Sequence, residues 1–529
     1  SGSGAQGGWL EAGPPDAQAE SYAHYADAVI SEMNGDLAAA MDSFAEAVAK
    51  DPGDEELVLD VTGRFLRYQQ PGRALAILTN AVALPQASGE LFARLGFVYS
   101  QLGRPELAIQ ANQTAVRKSP TLLAAHQNLY LNYLQTKQGE RALQVLDTAA
   151  QTPGADAEFL LGIAELYSNL GMVMPPQRSN AQAQARALLM RAAETKPTPS
   201  ALRLKLADGF NQVGEAARAI ELYAPLLDEA RDNPALRGLL RTKLADLYLR
   251  TGDRPRATTL LEAILRDDPT NAQATFILGS MAFEEKQMER AADYFSRTVV
   301  LNPKFEQAYY DLVSAQLNLG RTDDALVTLD RARGQFEQKF AIEFFTGVVQ
   351  AQRKDYAQAL KHYTTAEVIA KATEPQRLTY GFFFQTGVAY ERTGEFDTAV
   401  KYFEKCLELA PNSDEAQNYL GYMWAERGIN LERARELIEK AVKAEPDNEA
   451  YLDSLGWVLF KLGQPREALE PMLRAVQIAK TPDATLYDHL GDIYHALDEP
   501  EKAREAWHKS LEVEPNENVR RKLDALPPQ

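Results

Sequence analysis

Asn418-Tyr-Leu-Gly421, Asp453-Ser-Leu-Gly456 and Asp488-His-Leu-Gly491 are three copies of one phrase, spaced 35 residues apart. Between Asp414 and Glu517 the punctuation repeats with the phrase. An alanine follows at 434, 468 and 503, a small residue at Ala441, Ala475 and Ser510, and a proline at 446, 482 and 515. The apolar residues in between recur at three and four, the spacing of an amphipathic helix. Each copy therefore predicts two helices folded back on one another. Their closest approach is expected where helix A has a glycine (Gly421, Gly456, Gly491) and helix B an alanine (Ala434, Ala468, Ala503), because a larger side chain there would overpack the hairpin. The proline ends helix B, since it has no N–H to continue the ladder.

With the helix-B alanine as a ruler, the pattern extends back to the start. Fourteen positions fit: Ala40, Ala74, Ala108, Ala142, Ala185, Ala219, Ala257, Ala291, Ala325, Ala359, Ala399, Ala434, Ala468 and Ala503. Most steps are 34 or 35 residues. A helix-turn-helix unit of about 34 residues with this order of small, aromatic and proline positions is the tetratricopeptide repeat signature. The expected fold is all-α, a right-handed superhelical solenoid of about 14 hairpins with a C-terminal capping helix. Residues 1–20 read as a flexible linker, 21–517 as the array, and 518–529 as the capping helix and tail, stopped by Pro527 and Pro528. Three steps are longer, with connections near 172–184, 228–236 and 371–379. The first of these (MVMPPQRSNAQAQ) reads as a loop inside one hairpin, and all three as joints where pitch can change.

Composition narrows the partners. Lys plus Arg is 56 against 74 Asp plus Glu, a formal charge of -18, which repels a nucleic-acid backbone and favours basic or apolar partners. The one cysteine, Cys406, excludes an internal disulfide framework and a Cys-rich metal site. It stands where other repeats have alanine and reads as a small core residue. No apolar run reaches the 18 or more residues a membrane helix needs. Ser1–Gln18 is rich in Gly, Ala, Ser, Gln and Pro and begins Ser-Gly-Ser-Gly, the kind of scar cloning leaves. A leader, signal peptide or lipidated cysteine removed ahead of it would leave no trace in this sequence.

Enzyme chemistry finds no foothold. The sequence has no glycine-rich phosphate loop, His-Glu-x-x-His helix, paired cysteine ligands or nucleophile elbow. No cofactor or metal is expected. His489 and His495 lie six residues apart and point to different sides of a helix, so with His508 they do not form a chelating pair. The Asn112-Gln-Thr triplet has the form of a glycosylation site but falls in a predicted helix B. The candidate surface is the one helix A presents. At its groove-facing positions stand Phe276, Phe283, Tyr310, Phe344 and Phe384, then Asn418, Tyr422, Asp453, Trp457, Phe460, Asp488 and Asp492. That is an aromatic groove turning acidic toward the C-terminus, suited to an apolar polypeptide segment flanked by Lys or Arg. Packing on the adjacent helix A is the competing role for each aromatic. Asn418, Asp453, Ser454, Asp488 and His489 are not the Lys, Arg and Asn set of a carboxylate clamp.

Residues 418–428 (NYLGYMWAERG), 434–463 and 489–515 resemble the C-terminal repeats of bacterial outer-membrane tetratricopeptide lipoproteins. Asp453-Ser-Leu-Gly-Trp457 and the Ala503/Trp507 pair carry the likeness beyond the generic repeat, over about the last fifth of the chain. One branch of that family is the adaptor of a periplasmic carboxyl-terminal processing protease. The resemblance implies a non-enzymatic scaffold in the periplasm, held to the outer membrane by an N-terminal lipid, with the protease or its protein substrates as partners. The other reading is a cytoplasmic assembly chaperone or regulatory subunit.

Overall fold

The computed structural model describes residues 16–337 and 339–526. Among the described residues there are 29 α-helices, three short 3-10 turns and no strand. Twenty-eight of the helices pair into fourteen hairpins, from Ala17–Met33 with Leu37–Lys50 to Ala484–Ala496 with Pro500–Val513, and Glu517–Asp524 follows alone. The chain divides into two compact units, 1–264 and 265–529, with the boundary inside the helix Arg254–Asp267.

All fourteen ruler alanines have 0% exposure. Each serves here as the name of its hairpin. The glycines of helix A show what the close approach makes room for. A Cβ at Gly421 would lie 2.7 Å from Ile438 Cγ1 and 2.9 Å from the carbonyl oxygen of Ala434. At Gly456 it would meet Met472 at 2.8 Å, and at Gly347 the Tyr363 ring at 2.5 Å. The missing side chain thus accommodates both the alanine's backbone and the large residue one helical turn beyond it. Cys406 occupies the next turn of the Ala399 hairpin, fully buried, with its thiol pushed up to about 12 by burial.

Helix starts divide by type. Several A helices begin with a side-chain cap: Asp54, Ser88, Asp156, Asn271, Ser413, Asn448 and Asp483 each accept a backbone N–H of the first turn. Helix B starts on proline in the Ala74, Ala108, Ala468 and Ala503 hairpins, where no N–H is needed. The turn between the two helices passes through the left-handed region. Glycine fills that position at Gly394 and Gly463, but Lys137, Lys286 and Lys354 hold it with φ of 58°, 60° and 64°, at a steric cost glycine avoids.

Two expectations are corrected by helix bounds. Residues 172–184 are not a loop: helix runs to Val173, a 3-10 turn covers Pro175–Gln177, and helix resumes at Arg178. The prolines occupy the turn, and the Ala- and Gln-rich stretch after them prolongs helix B, because those residues are good helix formers. The connections at 228–236 and 371–379 likewise reduce to 3-10 turns at Ala230–Asp232 and Pro375–Arg377 beside 18-residue helices. The expected linker is also shorter. Residues 17–20 form the first turn of a helix capped by Asp16, while 1–15 lie outside the described residues, as do Pro527 and Pro528. Asn112 is fully buried within its helix and donates to Asn132 Oδ1 at 2.9 Å.

The final helix with its Val519, and Leu526 just beyond its end, cover the Ala503 hairpin by packing on Trp507 and Ala503. Its Lys522 bridges Asp488 (2.8 Å) and Asp492 (2.7 Å).

Two stability outcomes follow from this geometry. Ala399→Leu forces a branched side chain into the closest contact of its hairpin and is expected to cost about 1–3 kcal/mol. Glu408→Leu, on the exposed side of the same helix, should stay within about 0.5 kcal/mol. Equal urea midpoints for the two variants would mean that the buried register is wrong. Lys354→Gly relieves a left-handed turn that costs about 1–2 kcal/mol; after the freer unfolded chain takes back about 0.4–1 kcal/mol, its urea midpoint should still lie above that of the parent.

Candidate functional site

Three successive A helices, Tyr380–Arg392, Asp414–Arg427 and Glu449–Lys461, line a cleft of about 400 Å³ together with Phe396 from the start of one helix B. Its floor is aromatic and fixed. Tyr419 stacks on Phe403 with ring centres 4.9 Å apart and meets the edge of Phe384 at 5.7 Å. Its hydroxyl lies 3.4 Å from Glu391 Oε2. Arg427 lies over the Phe396 ring at 4.6 Å, while Arg392 is exposed beside Glu391. Asn418, Tyr422 and Asp453 complete the lining. Burial, then the nearby carboxylates of Glu426 and Asp453, push the Tyr422 phenol well above its ordinary value. Asn418 Oδ1 is buried and has no hydrogen-bond partner among the described residues, an expensive state for an amide oxygen.

The twelve residues singled out from sequence do not form one surface. Asn418, Tyr422 and Asp453 meet in this cleft, and Phe384 supports it from beneath. Trp457 is a correction. The indole is 6% exposed and stacks on His489 at 3.8 Å and on Phe460 at 5.1 Å. Its N–H donates to Glu426 Oε2 at 2.8 Å. It joins helices and offers a partner no open face. His489 in turn holds Asp453, Nδ1 to Oδ1 at 2.8 Å, with both residues nearly buried.

Asp488 and Asp492 are corrected too. Read as an acidic rim, they are bound to Lys522, and Asp492 also accepts the Trp507 indole N–H at 3.2 Å. Burial raises the Asp492 carboxyl above its usual range, against the pull of Lys522. Upstream, the remaining aromatics pack within their own hairpins and against the next. Phe276 meets Phe305 at 4.6 Å and Phe295 at 5.6 Å, and Phe283 also faces Phe295. Tyr310 is buried, stacks on Phe345 and donates its hydroxyl to Glu306 at 2.8 Å. Phe344 lies among Phe340, Tyr363 and Phe382.

Sequence reasoning missed Arg392, Phe396, Tyr419 and Arg427, all of which line the cleft. Tyr419 is one residue off the assumed inward register. Arg392 and Phe396 flank the turn between helices, a region that a search confined to helix A passes over.

Models of the tetratricopeptide repeat family match residues 242–304 and 430–485, 381–413, 282–341 and 484–517. No curated protein matches the sequence. Similar solved structures include a chain of the APC/C hetero-tetramer Cut9–Hcn1, at 15% identity over 87% of this chain and 94% of that one, TM-score 0.40. Yeast Tom70 is similar at 16% identity over 87% and 99%, TM-score 0.36. A tetratricopeptide repeat protein from Parabacteroides merdae is similar at 16% identity over 48% and 97%, TM-score 0.37. Tetratricopeptide repeats are thus shown at the matched residues, and the fourteen hairpins with their buried alanines make the described chain one all-helical series of such hairpins.

Proposed function

We propose that this chain is a non-enzymatic scaffold that holds a polypeptide in the cleft between its Ala399, Ala434 and Ala468 hairpins. One observation carries the reading: the buried Asn418 Oδ1, unpaired at the edge of an open aromatic cleft. A peptide N–H would satisfy that oxygen. The Tyr422 and Phe396 rings offer apolar area at small entropic cost. Arg392, Arg427, Glu391 and Glu426 around them supply both signs of charge for orientation.

The finer reading places the scaffold in the bacterial envelope, tethered to the outer membrane, with a periplasmic carboxyl-terminal processing protease or its substrates as partners. Its support is the resemblance over 418–428, 434–463 and 489–515. A cytoplasmic chaperone or regulatory subunit is the competing assignment. The native N-terminus separates them, since a signal peptide ending in a lipidated cysteine belongs to the first alone.

Affinity capture with identification of the bound proteins, followed by titration of the purified partner, tests the cleft. Tyr422→Ala is expected to weaken binding by about 2 kcal/mol or more. Trp457→Ala is expected to cost about 3–5 kcal/mol of folding stability, by loss of its stacking on His489. A partner bound equally well by Tyr422→Ala and by a folded Asn418→Ala variant would remove the cleft from the interface.

A further inference from the structure

In unit 1 the A helices Glu55–Arg67, Gly89–Gln101 and Leu123–Gln135 bound two adjoining clefts of about 370 and 350 Å³, which share Phe97 and Asn128. The first is mainly apolar, with Leu59, Leu66 and Leu122 in its walls, and Glu90, Arg94 and Asn128 are its polar lining. The second is lined by amides, among them Gln101 and Gln135. Phe97 is 39% exposed, and Leu131 in the second cleft 41%, an unusual pairing of large apolar side chains left to water on adjacent helices.

Within the apolar cleft stands Arg94. It lies against the next helix A, where a Cβ at Gly63 would come within 3.1 Å of its Nη1. Four other arginines of this unit face acids on the same or a neighbouring helix: Arg64 with Glu32 and Asp60, Arg73 with Asp42, Arg186 with Glu215 and Arg203 with Glu229. Among the described residues Arg94 has no ion pair and no hydrogen bond; its neighbour Glu90 acts on it only at longer range. Burial draws its guanidinium below the ordinary arginine value, opposed by the Glu90 carboxylate. The guanidinium is half-buried yet still open to the cleft, so a carboxylate entering the cleft can reach it.

We propose that this double cleft is a second polypeptide-binding surface, and that its occupant is an apolar segment carrying one Asp or Glu side chain, whose carboxylate pairs with Arg94. The guanidinium fork matches a carboxylate with two parallel hydrogen bonds, while the leucines and Phe97 take the flanking apolar side chains. The amides of the second cleft face the continuing backbone. A single acid fits better than an acidic run, because the chain's charge of -18 repels a polyanion at long range. A side-chain carboxylate fits better than a chain terminus. Arg94 is the one cation of the apolar cleft, and the Asn128 amide nitrogen is engaged with the Ala93 carbonyl at 3.2 Å, so no second strong donor is ready for a terminal carboxylate.

The test is a displayed library of random dodecapeptides selected on the full chain and counter-selected on its Arg94→Met variant. The expected result is a family of peptides with one Asp or Glu between apolar residues. The best of them, acetylated and amidated, should bind the full chain and lose about tenfold or more in affinity when its acid becomes an amide or when Arg94 becomes Met. Recovery of no such family, or only of peptides that need a free C-terminal carboxylate, overturns the proposal. A second measurement guards against a structural role. Arg94→Met should melt at or above the parent temperature because it removes a desolvated charge, and a fall of several degrees would assign Arg94 to the fold instead.

Discussion

The fold depends on one steric constraint: two helix backbones brought so close that helix B carries only a methyl group at the contact. It does so with an alanine of zero exposure in all fourteen hairpins. In six of them helix A meets it with a glycine whose space is shared with a large residue one turn past the alanine. Phe295, Tyr363, Phe403, Ile438, Met472 and Trp507 occupy that space against Gly279, Gly347, Gly387, Gly421, Gly456 and Gly491. Small and large are therefore complementary across the hairpin. The glycine costs helix propensity, and the packing of an aromatic or branched side chain over its bare backbone offsets that cost.

Between hairpins a different chemistry takes over. Asp453, His489, Trp457 and Glu426 form one connected line: carboxylate to imidazole, imidazole stacked on indole, and indole N–H to the next carboxylate. It joins the Ala434, Ala468 and Ala503 hairpins. After the Ala503 hairpin the helix Glu517–Asp524 takes the place of a further hairpin by inserting Val519 and placing Lys522 between Asp488 and Asp492. Two carboxylates that close would repel each other in the absence of the ammonium. The acidic character of the C-terminal A helices is thus mainly internal wiring.

Periodicity made the fold legible, and it was blind to the site for the same reason. The spacing of alanines and glycines reports the tightest contacts, which sterics dictate in every copy. It marked helix identity well enough to locate each hairpin, but not how the added residues near Met172 lengthen helices instead of forming a loop. Side-chain direction demands more. Trp457 and Tyr422 occupy comparable places on their helices, yet one is sealed by His489 and Phe460 and the other borders open space. The choice depends on what the following hairpin presents. Asp453 to Trp457 and Ala503 with Trp507, which go beyond the generic repeat pattern, belong to this internal packing.

Polar satisfaction separates the two kinds of surface. Many polar contacts between hairpins are closed within the fold, as Lys339 pairs with Glu306 and the Tyr402 hydroxyl donates to Glu367. Asn418 and Arg94 stand among the exceptions, with Asn112 Oδ1 and the Tyr363 hydroxyl in hairpin cores: Asn418 has a buried oxygen with no donor, Arg94 a half-buried guanidinium with no acceptor. Asn418 and Arg94 each stand on helix A, beside aromatic side chains and within a cleft of several hundred Å³. A repeat array stacks each hairpin on the next and can satisfy its polar groups locally without a partner. Where it leaves one unsatisfied in an open cleft, the stability given up is recoverable by a ligand of complementary chemistry: a donor at Asn418 and a carboxylate at Arg94.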